Sequence, residues 1–280
     1  MFVFNQISQL QEHLRPLRAS KRVAFVPTMG ALHEGHLHLV KEAKKDADLV
    51  VVSIFVNPLQ FNNPVDLEKY PHTLDQDTQY LQSVGCDVLF VPNAQEMYPH
   101  KPSMQFNFGS LELVMEGKFR PGHFNGVAIV VSKLFHMVQP HMAYFGQKDF
   151  QQCAVIKTLI ADLSFPIQMV TVPTVRTSSG LAMSSRNQRL SPEGLEKAAQ
   201  IYAGLQKAKN TLVQHGTLSE ASEKVVETVT AAGIHVEYVE IVDALTLLPP
   251  TVDTMQLVIC FAGFLEEVRL IDNIIVERSS

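Results

Sequence analysis

Two histidines, three residues apart, lie in the segment Pro27–Val40, which reads PTMGALHEGHLHLV. His33 and His36 would share one face at the start of a helix, and Gly35 between them lacks the Cβ atom that would keep a ligand away. Apolar residues before the segment predict a buried strand, and those after it predict an amphipathic helix. The start of a helix offers free backbone N–H groups and the positive end of the helix dipole. We therefore expect a phosphate to bind at this junction.

Two other interpretations of the histidine pair compete with a phosphate site. A zinc site of the HExxH type needs its histidines four residues apart, whereas position 37 is leucine and His38 breaks that spacing, so zinc is disfavoured. A polar turn without a function stays open for an isolated HxGH motif. The surrounding strand–turn–helix pattern makes the phosphate interpretation the stronger one.

The residues Asn57–Gln60 end a very apolar run and supply two side-chain amides. Each amide carries one acceptor oxygen and two N–H donors, which suits a small hydroxy-carboxylate better than a phosphate. An ordinary turn, with Pro58 ending the strand, is the alternative.

Three further groups are candidates for anion binding. Lys148 lies at the predicted start of a helix, where a cation is unfavourable unless an anion is near, and that anion is either Asp149 or a bound phosphate. Ser184–Arg186 combine two hydroxyls and a guanidinium in a predicted flexible loop that could close over a triphosphate. The loop Glu116–Phe124, EGKFRPGHF, either holds an anion, caps an interface or is simply solvated.

The elements that must position these residues alternate between apolar strands and amphipathic helices. Predicted strands cover residues 23–26, 50–56, 87–92, 142–146 and 167–175, and predicted helices cover 8–18, 36–46, 73–84, 123–138 and 148–162. Such alternation indicates a parallel sheet covered on both faces, with ligands at the carboxyl ends of its strands. The candidate residues follow three of those strands.

A different pattern follows residue 175: helices are predicted at 192–214 and 218–232, and strands at 235–242, 255–262 and 266–271. We therefore predict two domains, residues 1–175 and 176–280, the second a small α+β unit. Residues 176–189 would form a hinge or a mobile flap.

Composition indicates an ordinary globular protein of 280 residues, 46% hydrophobic and 18% charged, with a formal net charge of −5. No cluster of Lys and Arg is present, so we expect no nucleic-acid partner. Cys86, Cys153 and Cys260 are far apart and outside any CxxC spacing, which favours a reducing cytoplasm over a disulfide framework. We find neither a secretory leader nor an apolar run of about 18 residues, so we expect no membrane association.

Many segments together closely resemble the pantothenate synthetase (pantoate–β-alanine ligase) family of the HxGH nucleotidyltransferase superfamily. The matching segments, in family order, are PTMGALHEGH, SIFVNPLQF, KYPHTLDQD, MYP, RPGHFNGV, KLF, FGQKDFQQ, GLAMSSRN and VRLIDN. The resemblance covers nearly the whole chain. It implies an α/β fold, with a Rossmann-like parallel sheet in the N-terminal domain and a smaller α+β C-terminal domain that closes over the active site.

The resemblance also implies a reaction: ATP-dependent condensation of (R)-pantoate with β-alanine to pantothenate, AMP and pyrophosphate through a pantoyl adenylate. It implies a homodimer, no nucleic acid or membrane partner, and Mg²⁺ held mainly on the ATP phosphates.

The residue roles implied by the resemblance fall into four groups. His36, as proton donor, with His33, Lys148 and Arg186 would be catalytic, Gln60 and Gln152 would bind pantoate, and Asp77 would lie near the metal ion. ATP contacts would come from Met29, Gly30, Ala31, Leu32, His33, Glu34, Gly35, His36, Gly146, Gln147, Lys148, Asp149, Val175, Met183, Ser184, Ser185 and Arg186.

The chain departs from the family pattern at four positions, His72, His141, Gln147 and Ser179. We expect effects of His72 and Ser179 on loop positioning or the subunit interface. Two rival functions stay open at this point. An adenylyltransferase of the same superfamily would yield a dinucleotide-like adduct, and an ATP sensor would bind without turnover and would need neither Lys148 nor the Ser184–Arg186 group.

Overall fold

The computed structural model describes residues 1–278, which divide into two compact units. The first unit comprises Met1–Gln147 and Gln152–Pro173, and the second comprises Lys148–Gln151 and the residues from Thr174 onwards. The predicted domain boundary after residue 175 lies close to the main division. The grouping of Lys148–Gln151 with the second unit has no counterpart in the sequence pattern.

A parallel sheet forms the centre of the first unit. Its strands are β1 Phe2–Phe4, β2 Val23–Thr28, β3 Leu49–Ile54, β4 Val88–Phe90, β5 Met142–Gly146 and β6 Gln168–Val172. Within residues 1–278 this sheet has six strands in the order β1-β4-β3-β2-β5-β6. Strands β3 and β4 are added on one side of β2, whereas β5 and β6 are added on the other side. The direction of strand order therefore reverses between β2 and β5. Open α/β sheets bind ligands outside the carboxyl ends of their strands at such a reversal.

Helices cover both faces of this sheet. They are α1 Ile7–Leu17, α2 Glu34–Asp46, α3 Pro64–Glu68, α4 Leu74–Ser83, α5 Ala94–Met97, α6 Met115–Phe119, α7 His123–Val138 and α8 Phe150–Asp162. Side chains of α1, α7 and α8 join one apolar cluster, and side chains of α2 and α4 join another.

Strand β2 shows why the sheet is buried on both faces. Val23 and Phe25 belong to the first cluster, whereas Ala24 and Val26 belong to the second, and all four are fully buried. Because successive side chains of a strand point to opposite faces, an unbroken apolar run is what a strand covered on both sides requires.

The second unit contains helices packed on an antiparallel sheet. Its helices are α9 Pro192–Ala198, α10 Gln200–Val213 and α11 Leu218–Ala231, and its strands are β7 His235–Asp243, β8 Gln256–Leu265 and β9 Val268–Glu277. The three strands lie in the order β7-β8-β9, and apolar residues of the helices and the sheet share one core. The structure therefore confirms the predicted fold class, an α/β sheet unit with a smaller α+β unit.

Several elements differ from the sequence prediction, among them the short helices α3, α5 and α6, which it lacks. Strand β1 is absent from that prediction, because three residues are too few for a periodic pattern and Phe2 and Val3 remain exposed. The helix predicted at 192–214 is divided at Ala199. The last strand, predicted at 266–271, runs to Glu277, and Glu266 and Glu267 form the turn before it. Of the helices described, none is long and apolar enough to cross a membrane.

Candidate active site

The two histidines of the HxGH motif cap helix α2 instead of both lying within it. His33 is the N-cap residue, and its Nδ1 atom accepts a hydrogen bond from the Gly35 N–H at 3.1 Å. The Nδ1 atom of His36 accepts from the His33 N–H at 3.4 Å, so the pair forms a reciprocal capping box, and the two rings lie 4.1 Å apart. The helix therefore begins at Glu34, two residues before the predicted start.

This capping decides where the ring protons lie. An imidazole nitrogen that accepts a hydrogen bond carries no proton, so the neutral rings of His33 and His36 are protonated at Nε2. Each ring thus carries its N–H donor at Nε2, next to a helix N-terminus whose backbone N–H groups and dipole favour an anion.

The loop that leads from β2 into this helix is fixed by the buried carboxylate of Asp77. Gly30 and Ala31 have left-handed backbone conformations, with φ of 81° and 50°. The Ala31 N–H donates to one Asp77 oxygen at 2.9 Å, and the Leu32 N–H donates to the other at 2.8 Å. A Cβ atom on Gly30 would lie 3.1 Å from the same carboxylate. The carboxylate stabilises a turn that a non-glycine residue such as Ala31 rarely adopts.

This bonding bears on the predicted magnesium role of Asp77. The side chain is 1% exposed, and its two oxygens accept three hydrogen bonds, the third from the Thr73 hydroxyl at 3.2 Å. Among residues 1–278 no group of three or more His, Cys, Asp or Glu side chains is arranged to hold a metal ion. The carboxylate of Asp77 does not fit a metal ligand in this arrangement, and its magnesium role stays a prediction.

A buried amide network follows the carboxyl end of β3. The Asn57 side chain donates to Gln60 Oε1 at 3.1 Å and to the Gly126 carbonyl at 3.1 Å, and it accepts from the Tyr98 hydroxyl at 2.8 Å. Burial raises the pKa of Tyr98, which keeps this phenol a donor. Because Oε1 of Gln60 is engaged, its Nε2 group is left to point elsewhere, and it lies 3.1 Å from the Met29 sulfur. In the sequence Tyr98 stands out only as part of the MYP motif, and nothing in its own spacing indicates this bond.

The RPGHF segment holds the main chain of Gln60. His123 Nδ1 lies 2.8 Å from the Gln60 carbonyl oxygen, and Arg120 donates to the same oxygen at 3.5 Å. Arg120 also pairs with Glu116 at 3.2 Å. These contacts argue against a freely solvated EGKFRPGHF loop and give the segment a local role in fixing Gln60, which was not among the interpretations left open for it.

Two other predicted residues of the first unit lie at or near the carboxyl end of β5. Gly146 ends that strand, and the Gln147 N–H bonds to the Val172 carbonyl at 2.8 Å. Since β2 and β5 pair in parallel, their carboxyl ends lie at the same edge of the sheet. Gln152 is half-buried in the first turn of α8.

The remaining candidates belong to the second unit. Lys148 lies in a turn before α8, because the helix starts at Phe150 and not at the predicted residue 148. Its ammonium is 3.9 Å from the half-exposed Asp149 carboxylate, a long contact that supplies little stabilisation. Met183 donates its N–H to the Val175 carbonyl at 3.0 Å, which joins two more of the predicted ATP contacts.

The Ser184–Arg186 group is ordered by a short helix. Ser184 caps a 3₁₀ helix, Ser185–Arg189, by accepting the Arg186 N–H at 3.3 Å, and Ser185 is buried. Residues predicted to be a flexible loop therefore have regular local structure within the second unit.

The four departures from the family pattern occupy different environments. His141 accepts the Val23 N–H at its Nδ1 atom at 3.0 Å, which ties the start of β5 to that of β2. Ser179 shares a hydrogen bond with Thr177 at 2.8 Å in a turn. His72 is exposed. The backbone, not the side chain, of Gln147 makes the bond to Val172 described above.

Comparison with known sequences places this geometry in a family. The model of the family described as pantoate-beta-alanine ligase matches residues 2–275. The pantothenate synthetase of Cytophaga hutchinsonii is 47% identical over 281 residues, which cover 99% of each chain. That of Bacteroides fragilis is 48% identical over 285 residues, which cover all of both chains.

Solved structures agree with the sequence comparison. The fold is similar to pantothenate synthetase from Thermus thermophilus, with a TM-score of 0.93 and 43% identity over 98% of this chain and 99% of that one. It is also similar to pantoate–β-alanine ligase from Francisella tularensis, crystallised with beta-gamma ATP and β-alanine, with a TM-score of 0.84 and 37% identity over 98% and 97% of the two chains. With the family model and full-length relatives in agreement, this chain belongs to the pantoate–β-alanine ligase family, which condenses pantoate with β-alanine in an ATP-dependent reaction.

Proposed function

We propose that this chain condenses (R)-pantoate with β-alanine by way of an enzyme-bound pantoyl adenylate, and releases pyrophosphate and AMP. A carboxylate is a poor electrophile. In the first step a pantoate carboxylate oxygen attacks the α-phosphorus of ATP and the bond to pyrophosphate breaks. In the second step the β-alanine amine attacks the activated carbonyl, AMP leaves with the electron pair of its bond, and the amine loses a proton.

The contact between Gln60 and Met29 carries this proposal. Gln60 Nε2 belongs to the amide network after β3, and Met29 belongs to the loop that leads into the histidine-capped helix. An amide suited to a hydroxy-carboxylate therefore lies against a loop suited to a phosphate. Activation of a carboxylate at phosphorus needs this juxtaposition, because the attacking oxygen must lie about 3–3.5 Å from the atom it attacks.

The histidine pair supplies donors to the phosphate oxygens. Charge builds on these oxygens as the bond to pyrophosphate breaks, and fixed N–H donors stabilise such charge without a cost of reorganisation. The capping box fixes both rings through their Nδ1 atoms at the N-terminus of α2. We assign the proton-donating role to His36 and a supporting role to His33.

We assign three further sets of residues by resemblance to the family. Gln60 and Gln152 bind pantoate, Lys148 and Arg186 stabilise the departing phosphates, and the remaining ATP contacts are those named in the sequence analysis. Mg²⁺ would be coordinated mainly by the ATP phosphates, and neither chemical step depends on a protein ligand for it.

Two further proposals concern the whole protein. A homodimer is proposed from the family resemblance, and sedimentation should then give twice the mass of one chain. A cytoplasmic location is proposed from the three cysteines, which are buried thiols outside any disulfide.

Pyrophosphate exchange tests the two-step reaction. We expect labelled pyrophosphate to enter ATP when pantoate is present and β-alanine is absent, because the first step is reversible. Exchange that needs no pantoate, or no exchange at all, would contradict the proposal. A dinucleotide-like product in place of an amide and AMP would identify an adenylyltransferase instead, and ATP binding without turnover would identify a sensor.

Substitution of Lys148 tests the assignment of phosphate contacts. We expect Lys148→Ala to lower kcat by about 10²–10³, the usual effect of losing one preorganised donor. Lys157→Ala, an exposed lysine on α8, is the matched control and should leave kcat unchanged. An unaltered rate for Lys148→Ala would remove this residue from the mechanism.

A further inference from the structure

The dipeptide Asp272–Asn273 lies within strand β9 and is almost completely buried, with 4% and 2% of the two residues exposed. Leu270 and Ile274 of the same strand belong to the apolar core of the second unit. By the alternation of a strand, Asp272 faces this core and Asn273 faces the opposite side. Buried polar side chains are costly unless they are hydrogen-bonded, so the partners of this pair indicate what it does.

The partner of Asp272 is Arg176. The two guanidinium nitrogens of Arg176 donate to the two carboxylate oxygens at 2.6 and 2.9 Å, and one of them also donates to the Asn273 carbonyl at 3.2 Å. The guanidinium lies over the Tyr202 ring, 3.8 Å from its centre. Burial raises the pKa of the Asp272 carboxyl, and the Arg176 charge opposes that rise. The planar guanidinium is thus held on several sides.

Arg176 in turn stabilises the hairpin that precedes Ser184–Arg186. Its side chain donates to the Gly180 carbonyl at 3.2 Å, and its backbone pairs with Ala182 in an antiparallel bridge. The Met183 N–H bonds to the Val175 carbonyl at 3.0 Å. The hairpin between residues 175 and 183 therefore has a fixed end, and Ser184 follows it directly.

Asn273 contacts the segment that contains Lys148. Its side-chain amide donates to the Lys148 carbonyl oxygen at 2.9 Å. Its backbone N–H donates to Asp272 Oδ1 at 2.7 Å, which links the two residues of the pair. One dipeptide therefore contacts the Lys148 segment directly and the hairpin before Ser184–Arg186 through Arg176.

We propose that Asp272 and Asn273 are positioning residues for adenylate formation: through Arg176 and through the Lys148 carbonyl they hold the Ser184–Arg186 and Lys148 segments in one fixed arrangement. The proposal rests on the assignment of those segments to ATP under the proposed function. The contribution of Asp272 and Asn273 is to set the donors in place before the transition state forms, and a displacement of about 1 Å in such groups lowers a rate by about a hundredfold.

The experiment compares the two chemical steps in three variants. Asp272→Asn keeps the shape but offers Arg176 a single oxygen, and Asn273→Asp sets a carboxylate oxygen against the Lys148 carbonyl. Glu237→Gln is the matched control, since it breaks another half-buried carboxylate–arginine pair of the same sheet, that with Arg269. Single-turnover quench measurements give the rate of pantoyl adenylate formation and the rate of its consumption by β-alanine.

We expect both test variants to slow adenylate formation about 10- to 100-fold, to leave the amine step within about twofold, and Glu237→Gln to change neither step. A general loss of folded protein would lower the amplitudes of both steps and leave their rate constants unchanged. Equal slowing of the two steps, or unchanged rate constants in both variants at full amplitude, would overturn the proposal. If Asp272→Asn does not fold, Asn273→Ala, which removes the bond to Lys148 without adding a charge, decides the question in the same way.

The Lys148→Ala variant separates the two proposals. If it slows adenylate formation while the pair variants do not, the positioning role fails and the proposed function stands. If it has no effect on adenylate formation, the assignment of the segment to ATP fails, and the positioning role fails with it.

Discussion

At the scale of single residues, the site is defined by which atom of each side chain is already engaged. The capping bonds of His33 and His36 use Nδ1 and leave Nε2 as the proton-bearing atom. The Asn57 bond uses Oε1 of Gln60, and the two loop amides use both oxygens of Asp77. The residue types in the sequence show which donors and acceptors are possible. These bonds determine which atom of each side chain acts as donor or acceptor.

His36→Gln separates the capping role of the ring from its chemical role. A glutamine at this helix position can still accept the N-cap N–H, so we expect the free energy of unfolding to change by less than about 1 kcal/mol. Pantoate-dependent pyrophosphate exchange should fall sharply, because the imidazole donor is gone. His38→Gln, a half-exposed neighbour on the same helix, should leave exchange intact. Normal exchange in His36→Gln would move the proton-donating role to another residue.

Asp77→Asn tests whether this carboxylate stabilises the loop before α2 or binds Mg²⁺. Asparagine keeps one acceptor oxygen but turns an NH₂ group towards a loop N–H, so the variant should lose about 1.5–3 kcal/mol of unfolding free energy. We also expect a higher KM for ATP at saturating Mg²⁺. Denaturant unfolding and a Mg²⁺ titration of the rate are the measurements. A raised Mg²⁺ requirement with an unchanged KM for ATP would favour a metal ligand.

At the scale of elements, the Gln60 amide that we propose as a pantoate ligand depends on the close packing of α7 against the 3₁₀ turn Pro58–Gln60. A Cβ atom on Gly126 would lie 2.2 Å from the Leu59 carbonyl oxygen, and the Gly126 carbonyl accepts the Asn57 side chain. Only glycine permits this approach. The RPGHFNGV motif is thus explained by packing between elements as well as by the contacts of its histidine.

Gly126→Ala should therefore displace the turn that carries Gln60. The helical preference of alanine, about 1 kcal/mol, is outweighed by an overlap with main-chain atoms that cannot move freely. We expect the KM for pantoate to rise at least tenfold and the KM for ATP to change much less. Ser132→Ala on the same helix removes a buried hydroxyl that has no hydrogen-bond partner among residues 1–278, and it should be neutral. Equal changes in both KM values would argue for general disruption of the site.

At the scale of the whole molecule, the described residues form two units, each with its own apolar core. Phe135 lies in a core of the first unit and Phe261 in that of the second, and both are almost fully buried. Each unit therefore has the means to hold its own structure, and openings of one unit need not be openings of the other.

Truncation of a core side chain should destabilise mainly the unit that contains it. We expect Phe135→Ala and Phe261→Ala each to cost about 3–5 kcal/mol of stability. Hydrogen exchange followed by mass spectrometry should show faster exchange in peptides of the first unit for Phe135→Ala and of the second unit for Phe261→Ala. Uniform acceleration along the whole chain in either variant would mean that the protein opens as a single cooperative unit.

Much of the fold followed from local patterns. The apolar runs that became β2, β3 and β5 are buried on both faces, and long helices such as α7 and α11 match the sequence prediction closely. The three residues of β1 carried no such pattern, since that strand owes its pairing to β4 and not to its own periodicity.

The sequence by itself determined the family, the fold class and the residue types available for chemistry, because these depend on local pattern and on motif order along the chain. Tertiary structure alone decided which atoms of those residues are engaged. Asp77 accepts hydrogen bonds from the Ala31 and Leu32 N–H groups, Tyr98 donates to Asn57, and Arg176 donates to Asp272. Each of these pairs is distant in sequence, and no local periodicity encodes a hydrogen bond that forms only when separate elements pack together.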